Sequence, residues 1–168
     1  MKNPSFLLAA VLAISTTSAA VAATSTSTFQ VLINVNKACV VIAGPTSNID
    51  FGSVASYATG LSASNSISVT CSKSTPYNVG LLPSNNSTTG GGVMSPVVAG
   101  PDTVPYQLRS VSATGPVWGS TATATSVGNG VAGTGTGAAQ TIPVWATVAN
   151  ANVTPGAYID TVTVQVNY

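Results

Sequence analysis

The stretch Tyr158–Tyr168 constrains this chain more than any other. Val162, Val164, Val166 and Tyr168 fall on one side, and Thr161, Thr163, Gln165 and Asn167 on the other. A side-chain period of two is the signature of a strand with one apolar face. No further strand follows it in the sequence, so a sandwich ending here is expected to leave an apolar groove and an open edge. Open edges invite pairing with another chain. A second alternating stretch stands near the start: Phe29, Val31, Ile33 and Val35 share one face, separated by Gln30, Leu32 and Asn34. A lone strand is not stable in water and must lie against a sheet, in its own fold or in another copy's.

Between these two stretches the sequence reads as strands and turns, with no convincing helix. Short apolar or alternating runs recur at Ala38–Ile42, Ile49–Val54, Ser64–Cys71, Tyr77–Leu82, Pro105–Ser110 and Gln140–Ala149. Turn signals separate them, as in an all-β sandwich. Asn85–Gly92 is expected to be a polar loop, and Thr154–Gly156 (Thr-Pro-Gly) a tight turn.

Met1–Ala23 has the form of a secretory signal. Lys2 supplies the positive start, Phe6–Ile14 the apolar centre, and Ala20–Ala23 the small residues of a cleavage site. The run is too short to span a bilayer. The expected product is exported and not embedded in a membrane. The organisation expected is a signal over 1–23, an N-terminal strand segment over 24–36 and a β-sandwich over 37–168. Cys39 and Cys71 lie 32 positions apart. In an exported chain an even cysteine count predicts a disulfide.

Composition narrows the function. Charged residues make up 4% of the chain, against about 25% in an average soluble domain. Without Lys2, the three cations Lys37, Lys73 and Arg109 balance Asp50, Asp102 and Asp160. No basic patch exists for nucleic acid or an anionic membrane. A surface so poor in charge has little repulsion to keep copies apart, which suits a subunit that packs into a polymer. There is no histidine, so neither a Ser-His-Asp nor a Cys-His arrangement can be built, and two cysteines cannot complete a zinc shell. The three aspartates share no local motif. No catalytic residue, metal ligand or cofactor site is expected. Gly128, Gly130 and Gly133 match Gly-x-Gly-x-x-Gly, but no helix and no acidic residue follow at the required places, so a loop is expected there. A sugar-stacking platform drawn from Trp118, Trp145, Tyr57, Tyr77 and Tyr106 is the alternative for a small secreted binding module. In that reading Trp118, after Gly115-Pro116, is the candidate for exposure, and Trp145 belongs in the core.

Several of these pieces together resemble a known family. An alternating strand leads into Cys39; Ile49-Asp50-Phe51-Gly52 follows, then Ile67–Cys71. Ile142-Pro143-Val144 comes near the end, then Gly156-Ala157-Tyr158-Ile159-Asp160-Thr161 and the terminal alternating strand. The pattern is similar to the spore coat protein U domain family, which includes subunits of archaic (Csu-type) chaperone–usher pili. The resemblance implies an incomplete immunoglobulin-like sandwich lacking its last strand, completed by a strand lent first by a periplasmic chaperone and then, at an outer-membrane usher, by the next subunit. Carried onto this chain, the donor residues are Phe29, Val31, Ile33 and Val35, and the acceptor edge strand carries Val162, Val164, Val166 and Tyr168. The expected partners are other copies of the chain or related pilus subunits. The expected function is structural, in a pilus serving adhesion or biofilm formation. A coat or surface protein outside any pilus is the competing structural reading.

Overall fold

The computed structural model describes residues 22–168. Apart from Ala22 and Ala23, the signal expected over Met1–Ala23 lies outside them. The chain divides into two units, Met1–Asn34 and Val35–Tyr168. In the first, the described residues carry no secondary structure. The second is an antiparallel β-sandwich with one short 3-10 turn, Pro45–Ser47.

Nine strands build the sandwich: β1 (Cys39–Ile42), β2 (Thr59–Cys71), β3 (Pro76–Pro83), β4 (Gly91–Pro96), β5 (Val104–Ser110), β6 (Val131–Thr134), β7 (Gln140–Asn150), β8 (Tyr158–Ile159) and β9 (Val162–Asn167). A six-stranded sheet runs β1-β2-β7-β5-β4-β8, and a three-stranded sheet runs β6-β3-β9. β2 and β7 pair from Thr59↔Asn150 to Val69↔Gln140 and form the backbone of the larger sheet. Their alternation sends Ile67, Val69, Val144, Ala146 and Val148 into the core, while Ser62, Ser64, Ser66 and Ser68 take the other face. Val79 and Leu81 of β3 meet them from the smaller sheet, and Trp118 fills the space between. The Trp118 indole N–H donates to the Val79 carbonyl at 2.9 Å and its backbone N–H to the Leu108 carbonyl at 2.9 Å. A buried indole needs such a partner.

Cys39 and Cys71 face one another directly in the β1–β2 register and are joined as a disulfide.

Phe29–Val35 carries no strand within the single chain, and a stretch of this kind needs a sheet to pair with. Several expectations are corrected. Ile49–Val54 is irregular. Asn85–Gly92 is not loop throughout, because Gly91 and Gly92 open β4. Gly133 lies in β6 opposite Tyr77, so the glycine-rich stretch is not all loop either. The terminal run is two strands. β8 pairs with β4 in the larger sheet and β9 with β3 in the smaller, and the chain crosses between them at Asp160 and Thr161.

Candidate functional site

β9 is the outermost strand of the smaller sheet. Among the described residues its only strand neighbour is β3, with Val162, Val164 and Val166 opposite Pro83, Leu81 and Val79. The three valines pack against the core yet stay half-exposed. β1 is likewise an edge, paired with β2 alone. The two edges come together at one end, where the Lys37 ammonium sits 5.8 Å from the centre of the Tyr168 ring.

Away from that end the sandwich is open. A cleft of about 480 Å³ is lined by Val162 and Val164 of β9, by Ala43–Gly44 after β1, and by core residues of both sheets: Ile67, Leu81, Leu108, Val144 and Ala146. A second cleft of about 380 Å³ continues toward Leu61, Val104 and Val148. Ile49, Asp50, Phe51, Met94 and Tyr158 belong to both. Well-packed interiors contain few voids larger than one water molecule. Here, apolar core residues of both sheets form the walls of a solvent-open groove beside an unpaired strand edge. The free side of β9 offers backbone hydrogen-bonding groups and the cleft offers apolar lining, the two features by which extended segments are recognised.

The residues singled out from sequence fall as follows. Cys39 and Cys71 are bonded. Val162, Val164 and Val166 line the core side of the open edge strand, with Tyr168 just beyond it. Phe29, Val31, Ile33 and Val35 are 88, 87, 88 and 78% exposed. An exposed run of large apolar side chains is unfavourable in water and marks an interaction segment. The aromatic platform is not formed. Trp118 is fully buried, at 0% exposure, and Tyr77 and Tyr106 are core residues. Trp145 stands half-exposed on the outer face of the larger sheet, opposite Ser64 and Arg109. The expected placements of the two tryptophans are thus reversed. Trp118 follows a Gly-Pro turn in sequence, but the turn delivers it into the core.

The three aspartates serve the fold. Asp50 accepts the Gly52 N–H at 2.8 Å, and Asp102 accepts the Thr154 N–H at 2.8 Å. These hydrogen bonds, the Thr154 hydroxyl first, hold the Asp102 carboxyl below its ordinary range. Asp160 belongs to the Gly156–Thr161 stretch that carries the family resemblance, but no role was expected of it beyond a turn, a cap or a solvated charge. It accepts from the Tyr106 hydroxyl at 2.6 Å, from the Ser84 hydroxyl and from the Thr161 N–H at 2.8 Å. Among the described residues no cluster of three or more His, Cys, Asp or Glu is placed to hold a metal, and no helix is long and apolar enough to cross a membrane.

An antiparallel sandwich with a groove along a strand paired on one side only defines an immunoglobulin-like fold left open at one edge. The sequence matches the family model of the spore coat protein U domain over residues 25–165. The chain belongs to the spore coat protein U domain family. No protein with a curated description matches it. Among solved structures, it resembles a chain of the CsuC–CsuE chaperone–tip adhesion subunit pre-assembly complex from the archaic chaperone–usher Csu pili of Acinetobacter baumannii. That match has 23% identity and a TM-score of 0.53, and covers 80% of this chain and 40% of the other. The likeness extends to the fold. A chaperone–tip adhesin complex of CFA/I fimbriae also matches, at 12% identity over 77% of this chain and 41% of the other, with a TM-score of 0.40, too low to carry an argument.

Proposed function

We propose that this chain is a structural, non-enzymatic subunit of an archaic chaperone–usher pilus and polymerises by donor-strand exchange. The observation that carries the reading is the open groove: about 480 Å³ of cleft walled by the core itself, beside a terminal strand paired on one side only. The exposed alternating segment Phe29–Val35 has the chemistry to fill it. Burial of four such side chains contributes about 6–12 kcal/mol before ordering costs, an upper bound. The family match and the pilus-subunit fold of the Csu complex support the same reading. In this account Met1–Ala23 directs export, residues 24–36 are the donor and residues 37–168 the acceptor domain. A periplasmic chaperone holds the groove until an outer-membrane usher passes the subunit to its neighbour. The product is a surface pilus for adhesion or biofilm formation.

The test is polymer growth by the chain from Thr24 onward, followed by native mass measurement. The wild type is expected to form a ladder of multiples. Ile33→Asp, which puts a charge on the inserting face, is expected to stop at the monomer, and Leu32→Asp to polymerise. If the two variants behave the other way round, the donor register has slipped by one residue, which exchanges its faces. A wild type that stays monomeric at high concentration contradicts the reading.

A further inference from the structure

The crossing of the last strand from one sheet to the other takes place at the groove itself. Asp160 and Thr161 both line the larger cleft. A carboxylate on an apolar wall is costly unless donors satisfy it, and Asp160 has three. They come from different parts of the sandwich. Tyr106 belongs to β5 in the larger sheet. Ser84 directly follows β3 in the smaller sheet, and Thr161 leads into β9. One side chain therefore ties the two sheets together beside the start of β9.

The tie is built with care on the Tyr106 side. Its register partner in β4 is Gly92, and a methyl group at Gly92 would stand 2.0 Å from the Tyr106 ring. The absent side chain lets the ring lie flat across β4 and aim its hydroxyl at Asp160. Burial, then the hydrogen bond and the negative charge of Asp160, push the ionisation of Tyr106 well above its usual range, so the hydroxyl stays a donor. Hydrogen bonds to a charged acceptor are stronger than neutral ones.

Apolar walls facing one another across an open cleft gain by closing, because closure removes apolar surface from water. Among the described residues β9 is hydrogen-bonded as a strand to β3 alone, which leaves its outer side little to oppose that collapse. We propose that Asp160, held by Tyr106 and Ser84, is a positioning residue that props the groove open and fixes the start of β9 against β5, so that an incoming donor strand finds a preformed site. This inference rests on the strand-donation reading. A site competent only part of the time captures its ligand more slowly in proportion. Once the strand is seated, it supports the walls itself, and release no longer depends on the prop.

The experiment is stopped-flow capture of a fluorescent peptide spanning Thr24–Asn36 by the chain from Thr24 onward carrying Ile33→Asp, whose own segment is not expected to insert, so that its groove is vacant. In that background the unaltered tie (called wild type here), Tyr106→Phe, Asp160→Asn, the double variant and Asp102→Asn are compared. The last removes a carboxylate that caps Thr154 and is a control for general destabilisation. Tyr106→Phe and Asp160→Asn are expected to slow association about tenfold, as when the competent fraction falls to about a tenth, and to leave dissociation within about twofold. The double variant is expected to be no slower than the slower single one, because both changes break one tie. Asp102→Asn is expected to associate like wild type. If Asp160→Asn does not fold, Tyr106→Phe, which removes one oxygen and keeps the ring, decides the question alone. Variants that associate at the wild-type rate, an effect confined to dissociation, or equal slowing by Asp102→Asn overturns the positioning role. A wild-type chain that shows no saturable capture overturns strand donation and this inference with it.

Discussion

Two tyrosines show how single residues set this fold. Tyr106 crosses Gly92, and Tyr77 crosses Gly133, its register partner in β6, where a methyl group would stand 2.3 Å from the ring. Each pair places an aromatic ring in the space a neighbouring side chain would occupy. Gly92→Ala is expected to displace the Tyr106 ring and cost about 1–3 kcal/mol, the usual range for overpacking, as read from the urea midpoint. A neutral result would show that the ring does not lie where it is described. The pH dependence has a definite sign. Burial raises the ionisation of Tyr77, and burial with Asp160 raises that of Tyr106, from the ordinary value of 10.0. The folded chain then keeps protons that the unfolded chain gives up. Stability tied to these hydroxyls is fully present below pH 10.0 and is lost as the pH rises further. In an alkaline absorbance titration, two tyrosines are expected to ionise later than the rest, and Tyr106→Phe to remove one of them. A variant with the same late ionisation as wild type contradicts the assignment.

At the level of elements, the legible strands were those whose side chains alternate. β2, β3, β5 and β7 show in sequence because their inward positions are mostly Val, Ile, Leu, Tyr or Ala and many outward ones are polar, whereas β1 shows only as a short apolar run whose outward Val40 and Ile42 are exposed. β4 and β6 do not show. Gly91, Gly92 and Gly133 have no side chain to point either way, so the pattern that marks a strand is supplied by a tyrosine on its neighbour. The crossing at Asp160 was hidden for a different reason. Asp160 interrupts the apolar face of Tyr158–Tyr168 between Tyr158 and Val162, but a single charge in the run does not show that it serves two sheets; the pairing of β8 with β4 and β9 with β3 does. The groove was legible as an open edge at β9, but its walls were not, because Ile49–Phe51 looked like a strand and is an irregular segment lining both clefts. The disulfide follows from export and cysteine count. It fastens β1, an edge strand with one neighbour, to β2. Cys39→Ser with Cys71→Ser is expected to lower stability by about 3–4 kcal/mol for a loop of this length in the chain-entropy model, measured by chemical denaturation. A loss under about 1 kcal/mol would mean that β1 holds to β2 without it.

At the scale of the whole molecule, low charge, an exposed apolar segment and an open groove fit one another. A chain that stayed monomeric would carry two liabilities, a run of large apolar side chains in water and an unpaired strand edge. In the proposed reading, donation of the segment to a neighbour's groove removes both at once. Of the features that bear on function, the two alternating stretches were visible in sequence, whereas the prop at Asp160 depends on residues brought together from three separate strands and their connections.

The most direct measurement is thermal unfolding of the chain from Lys37 onward, oxidised at Cys39–Cys71, with and without a peptide spanning Thr24–Asn36. The account predicts a saturable rise in melting temperature. At a hundredfold excess of peptide over its dissociation constant, binding to the folded state alone adds about 2.7 kcal/mol. A domain that is already stable and whose melting temperature ignores the peptide would contradict the central claim that this groove is built to be filled by a donated strand.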